Sequence, residues 1–568
     1  MRIQTMLKKR TILPILLAFL FIISSIMVWI TYYFPSDQEE TYFTQANTII
    51  YQEGKQKEQG LYQDGQAYLP LSFLTSHIDE TIRYDESSSS VIITTDTHVY
   101  QLPIHRNEVQ QNGEPVTLKY DAATERQGEQ YIAASLLERV YPIAVQYTKE
   151  TEAVQVLSDE QKLQYGAVKK SDGVRLRAKP SVASPYVKEM NESHQVVIEK
   201  EKRGFYYVRA NDGTAGYVKK GTIAKGNTSI VQAAPEQQAS SFSPEVAFPV
   251  HVTWDSVNPS LSNKEQLPAL PGVEVLSPKW FTLQTGKGSI ESNASKGYVR
   301  AAHEKGYNVW ALFSNAFDAP LTKQALSTYE NRKTIIEQLL TFANTYQLDG
   351  INVDFENVFE EDGELFTQFI RELTPRAHEQ GLVISVDVTF ISSSGQWSKF
   401  YNRKALAESA DFIMVMAYDE HWKGSSEPGS VSSLPWVRSN LERVLEEVPN
   451  EQLILGIPLY TRLWKTETDD QGTASTSSKA LTMEEAKAWM EERNITPTYD
   501  EQAEQEYMEY EVSDQNITYR MWLENETSLQ KRAQIVHTYD LAGVASWSMH
   551  FANEPSWEVL KSSLSKEE

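Results

Sequence analysis

The sequence predicts an α/β protein whose C-terminal part, residues 247–562, closes into a parallel (β/α)8 barrel. Two observations lead there. Eight short β-branched runs alternate with amphipathic helical patterns through that region, as a parallel sheet with crossover helices requires. One of the runs, Gly350-Ile351-Asn352-Val353-Asp354-Phe355-Glu356, places three polar side chains on one face and three apolar ones on the other. In a barrel the polar set points to the axis. Carboxyl groups there are costly unless paired or used, and the C-terminal end of a strand is where barrel enzymes keep their chemistry.

At 568 residues the chain is too long for one core. Lys8, Lys9 and Arg10 precede an uncharged apolar run from about Ile12 to Phe34, long enough for a membrane-spanning helix. Residues 1–36 are therefore expected to be a cytoplasmic stub and transmembrane anchor, with everything after it outside. Trp29, Tyr32, Tyr33 and Phe34 at its end fit an interfacial aromatic belt better than a signal-peptide cleavage site. Cleavage would make the protein secreted instead.

Residues 41–158 carry an internal repeat. Gly65-Gln66-Ala67-Tyr68-Leu69 aligns with Gly128-Glu129-Gln130-Tyr131-Ile132 at an offset of 63, and the same offset pairs Phe73-Leu74 with Leu136-Leu137. Two copies of one unit sharing a core make a small α+β repeat domain. It resembles the N-terminal domain of copper amine oxidases. The name implies no copper, because His98 and His105 have no partners at a metal-building spacing. Residues 165–223, opened by Val174-Arg175-Leu176-Arg177 and closed by Gly216-Tyr217-Val218, resemble a bacterial Src-homology-3-like domain, a small β-barrel. The resemblance implies binding to cell wall or peptide, and a plain spacer reads equally well. Residues 224–246, rich in Ala, Gln and Ser, read as a linker.

In the barrel region the strand candidates are 250–254, 273–277, 309–313, 350–355, 383–389, 412–416, 453–457 and 543–547. The long gap before the last strand is expected to hold a small inserted lobe built on the helix Met483–Arg493 and the stretch Tyr499–Trp522. There are no cysteines, which removes disulfides and thiolate chemistry, and a net charge of -24 argues against nucleic acid as a partner.

Asp349-Gly350-Ile351-Asn352-Val353-Asp354-Phe355-Glu356 resembles the Asp-Gly-x-Asp-x-Asp-x-Glu signature of glycoside hydrolase family 18. Met414-Val415-Met416-Ala417-Tyr418-Asp419 is similar to that family's sixth-strand pattern, and Trp547 to the tryptophan ending its eighth strand. The resemblance implies a TIM barrel that cleaves β-1,4 bonds next to N-acetylglucosamine, without metal or diffusible cofactor. It implies substrate-assisted retention, in which the sugar's acetamido oxygen attacks the anomeric carbon. Glu356 is then the proton donor, Asp354 holds the acetamido N–H, and Tyr418 orients the acetamido oxygen. Asp419 braces this group and Trp547 floors the cleaved sugar. Asp354 should also raise the pKa of Glu356.

The family's middle aspartate is Asn352 here, which should let Asp354 ionise more readily. Asn352 contacts the substrate side or simply fills the barrel interior. Asparagine at this place resembles the spore-cortex and wall-directed members, which inclines the expected polymer from chitin toward peptidoglycan. Trp422 and Trp464 follow the sixth and seventh strands and are candidates for a sugar groove. Glu524 contacts substrate or caps the last long helix. Asp349 reads equally as structural. The readings of another class are a wall-binding lectin and a membrane-anchored scaffold. The retained Glu356 speaks against the lectin.

Overall fold

The structure, a computed structural model, describes residues 17–27, 29, 34–52, 54–169, 173–235, 242–256 and 267–565. Of the apolar run expected to span a membrane, residues 17–27 and 29 are described and are helical. Phe34 at its end is described and exposed, and the remainder, with the Lys8–Arg10 flank, lies outside the described residues. Among the described residues no helix is long and apolar enough to cross a membrane.

The chain forms two compact units, one of residues 1–84, 102–109 and 115–239, the other of residues 85–101, 110–114 and 240–568. In the first, the repeat is visible as strand plus helix twice over. Gln66–Pro70 leads into the helix Leu71–His77, and Glu129–Ala133 leads into Ala134–Val140. The two strands pair antiparallel, with Ile132 opposite Leu69, so equivalent halves share one sheet and one core. A seven-stranded sheet follows. Its last strand, Ile223–Ile230, pairs along Lys162–Val168, so the expected linker from 224 is in part a strand. Cross-strand pairing satisfies the backbone there although the side chains are small and polar.

In the second unit eight parallel strands close on themselves. They are β1 (Val250–Asp255), β2 (Val275–Leu283), β3 (Asn308–Ser314), β4 (Gly350–Asp354), β5 (Val383–Thr389), β6 (Phe412–Met416), β7 (Leu453–Pro458) and β8 (Gly543–Trp547). Each pairs with the next, and β8 pairs back onto β1. The helices that cover the outside include α1 (Tyr329–Tyr346), α2 (Gly363–His378) and α3 (Glu526–Thr538). Their apolar stripes pack on the outward residues of the strands, such as Ile351, Val353 and Phe355.

The inward residues divide by height. Val250, Val252, Val275, Trp310, Leu312, Val383, Phe412 and Ile454 fill the lower barrel with apolar bulk. A Cβ on Gly350 would stand 2.6 Å from the Trp310 ring and 2.7 Å from the Val383 carbonyl oxygen, so glycine there is what lets the Trp310 indole occupy the axis. With the base of the barrel dry, polar inward residues collect at its C-terminal mouth.

The expected lobe between β7 and β8 is present as a five-stranded antiparallel sheet with the helix Met483–Glu491. Outside the barrel, Arg332 on α1 donates to both oxygens of Glu372 on α2, at 2.9 and 2.7 Å, and both side chains are buried. Removing one partner strands the other charge in a dry interface. Arg332→Met should therefore lower stability by about 3–5 kcal/mol, and replacing both residues with apolar ones should recover most of the loss. Urea unfolding of the three proteins measures this.

Candidate active site

Asp354 ends β4 and Glu356 stands two residues further on. The chain is held on both sides where it leaves the sheet. The buried Asn315 accepts from the Glu356 N–H at 3.2 Å and donates to its carbonyl at 2.7 Å, while the Tyr401 hydroxyl donates to the Phe355 carbonyl at 2.8 Å. Asn315 follows β3 and Tyr401 lies in the segment after β5, so the backbone that carries the acid is held from two other parts of the barrel. A group positioned this way loses little freedom when it reacts.

Beneath them lies a hydrogen-bonded plug. The Asn352 Oδ1 accepts from the Trp254 indole at 2.9 Å and from the Ser277 hydroxyl at 3.1 Å, and its Nδ2 donates to Asp387 Oδ1 at 2.8 Å. Asn352 is fully buried. It is not a substrate contact: of the two roles open to it, the structure gives it the interior one. The Trp254, Tyr418 and Trp547 rings meet at 5.8–6.4 Å between centroids and make an aromatic floor at the same level.

The electrostatics follow from burial. Glu356 is pushed up to about 8, first by burial, then by Asp354 and Asp419, with the Lys279 ammonium pulling the other way. Asp354 is pushed up to about 6 by burial against the same lysine, and its Oδ1 is buried without a hydrogen-bond partner. Asp354 thus ionises above its ordinary value even with an amide at position 352. Asn352 does withhold a negative charge, but desolvation outweighs that relief. Burial also raises Asp387 well above the carboxylate range, with Asp354 adding to it. Tyr418, half-buried, is raised by burial and then by Asp387. Near neutrality this leaves Asp354 ionised and Glu356 protonated, the division of labour that acid catalysis by paired carboxyls needs.

Asp419, exposed and left-handed at φ 61°, accepts from the Tyr460 hydroxyl at 2.5 Å and lies 3.6 Å from Arg462. Both partners come from the first strand of the inserted lobe, Tyr460–Thr468. Asp349 is structural. It accepts from the Val309 N–H at 2.7 Å and faces His303 at 2.8 Å, at the opposite end of the barrel from Glu356.

The outer candidates separate. Trp422 is 57% exposed and available to a ligand. Trp464 is 1% exposed, and its indole donates to the Gly429 carbonyl at 2.8 Å, so it is a core residue and not part of a groove. Glu524 is 3% exposed and grips Arg532 through both oxygens, so it contacts no substrate. The cap of α3 is Asn525, not Glu524. Asp387, Lys279, Asn315 and Tyr401 were missed. Asp387 alone had a legible signal, an acid at an inward position of a β-branched run.

A carboxyl pair and an aromatic trio gathered at the mouth of a closed parallel barrel suit a glycoside hydrolase domain. Residues 299–552 match the model of glycosyl hydrolases family 18, and residues 48–156 match that of the copper amine oxidase N-terminal domain. The barrel thus matches family 18 over most of its length, and the repeat unit ahead of it matches the copper amine oxidase N-terminal domain. The chain is 28% identical over 285 residues to the uncharacterized glycosylase YvbX of Bacillus subtilis, covering 48% of this chain and 80% of that protein. It is 25% identical over 252 residues to a cortical fragment-lytic enzyme of the same organism, covering 44% and 57%. The chain thus spans little more than half the length of that second relative. The Bacillus cereus spore cortex-lytic enzyme SleL shares the fold at a TM-score of 0.51 and 18% identity, over 66% of this chain and 90% of that one.

Two substitutions test the separation of Trp422 from Glu524. Trp422→Ala should raise KM for N-acetylglucosamine oligomers several-fold at unchanged melting temperature. Glu524→Ala strands Arg532 and should cost about 3–5 kcal/mol of stability in denaturant unfolding, with KM of the folded protein unchanged.

Proposed function

We propose that the protein is a retaining glycoside hydrolase that cleaves β-1,4 bonds following N-acetylglucosamine, with peptidoglycan as its polymer. The observation that carries the reading is the placement of Glu356 two residues beyond Asp354, which ends β4 at the mouth of the closed barrel, where burial favours the protonated acid. Glu356 gives its proton to the leaving oxygen as the acetamido carbonyl oxygen attacks the anomeric carbon. Asp354 takes the acetamido N–H and steadies the positive charge of the oxazolinium ion. Tyr418 donates to the acetamido oxygen, and Trp547 supports the sugar ring from below. Glu356, now ionised, accepts a proton from the water that opens the ring, which restores both partners. Asp419 acts at a distance by raising Glu356, and the lobe holds it there.

Peptidoglycan is favoured over chitin by the cortical fragment-lytic relative and by Asn352 in the signature. We also read residues 1–36 as an anchor that leaves the barrel outside the cell, with the seven-stranded unit as a wall-binding or spacing module. Mass analysis of the mature N-terminus tests the anchor, and a start near Pro35 would replace it with a secreted form.

Reducing-end release from purified peptidoglycan, with chitin oligomers alongside, tests the enzyme. Glu356→Gln should lower release by about 10²–10⁴-fold, and equal release from both proteins would remove the proposal. The kcat/KM profile should be a bell that rises as Asp354 ionises near pH 6 and falls as Glu356 deprotonates near pH 8. The same shifts act on stability. Folded Glu356 holds its proton above the pH at which the unfolded chain releases it, so stability falls as pH rises from about 4.5 toward 8. Glu356→Gln should flatten that slope in thermal melts.

A further inference from the structure

We propose that Asp387 is a positioning residue that shares one proton with Asp354, standing one strand over in the place that Asn352 leaves without an acid. The inference rests on the hydrolase reading above and deepens it. Its basis is register. Asn352 of β4 pairs with Ser385 of β5, and Val353 with Val386, so the next step along both strands sets Asp354 and Asp387 side by side on the inward face. Asp387 is 1% exposed and receives the Asn352 amide at 2.8 Å. Asn352 cannot turn to offer its oxygen instead, because Trp254 and Ser277 already donate to that oxygen.

The surroundings of Asp387 are otherwise poor in charge. The groups that bear on it are Asp354 and Glu356 at the end of β4, Tyr418 after β6, Tyr401 after β5 and the Trp254 indole on β1. The Lys279 ammonium of β2 acts on Asp354 and Glu356. Two carboxyls at one level of a dry barrel cannot both ionise. The pair therefore carries one proton and titrates as a unit. When the acetamido N–H reaches Asp354, that residue must be ionised, and the proton then sits on Asp387. No proton enters or leaves the site in this shift, and the proton delivered to the leaving oxygen still comes from Glu356. The O–H of Asp387 steadies the Asp354 carboxylate more strongly than a neutral amide N–H would.

The test is the pH profile of Asp387→Asn, which keeps an acceptor for the Asn352 amide but cannot hold the proton. The acid limb of kcat should move up by about one unit, about tenfold in rate below the limb, with KM little changed. The exchange variant Asn352→Asp/Asp387→Asn returns an acid to the same face as Asp354 and should bring the limb back toward wild type. Glu356→Gln run in parallel separates the two readings. If it is inactive while Asp387→Asn has the wild-type profile, the hydrolase stands and Asp387 merely props Asn352, which overturns the proposal. If Asp387→Asn melts too low to assay, the exchange variant decides: a restored limb supports proton sharing, and a displaced one overturns it.

Discussion

The cost of placing carboxyl groups inside a dry barrel governs this domain. Below the mouth the axis is packed with Trp310, Phe412, Leu312 and valines, and no water-like environment remains to solvate a charge. A carboxyl group above that layer must find a partner or change its protonation. Asn352 is satisfied by three neighbours from three other strands. Asp354 and Glu356 are less satisfied, and they respond by holding protons to a higher pH. The reactivity of the site is the part of that cost left uncompensated.

Rigid support makes this strain usable. The peptide units around Glu356 are held by Asn315 and Tyr401, so the backbone carrying the acid stays fixed at the mouth. The inserted lobe has a similar role on the other side. Tyr460 and Arg462, at its root, set the position of Asp419, and through it the field at Glu356. Away from the mouth, Arg332–Glu372 and Arg532–Glu524 pair buried charges directly. At the mouth, by contrast, Asp354 keeps a buried carboxyl oxygen without a hydrogen-bond partner.

Much of the site was legible because a strand has a strict two-residue alternation. Asn352, Asp354 and Glu356 had to share a face, and the order of Tyr418, Asp419 and Trp547 at later strand ends had to bring them to the same rim. The misreadings came from residues whose role depends on partners distant in sequence. Trp464 and Glu524 both lie beyond strand β7 in a region rich in aromatic and acidic residues, which suits a groove. What buries them is Gly429 in one case and Arg532 with Gln505 in the other. Asp387 was passed over for the opposite reason. An acid alone in an apolar run carries no visible chemistry until the neighbouring strand is in register.

The sequence by itself determined the barrel, the repeat ahead of it, the lobe and the acid pair, because periodicity and local alternation are properties of contiguous residues. The tertiary structure decided which candidates face the mouth, that burial outweighs the missing charge at position 352, and that a carboxyl from β5 stands beside Asp354. These depend on desolvation and on contacts between strands far apart in the chain, and no local pattern encodes either.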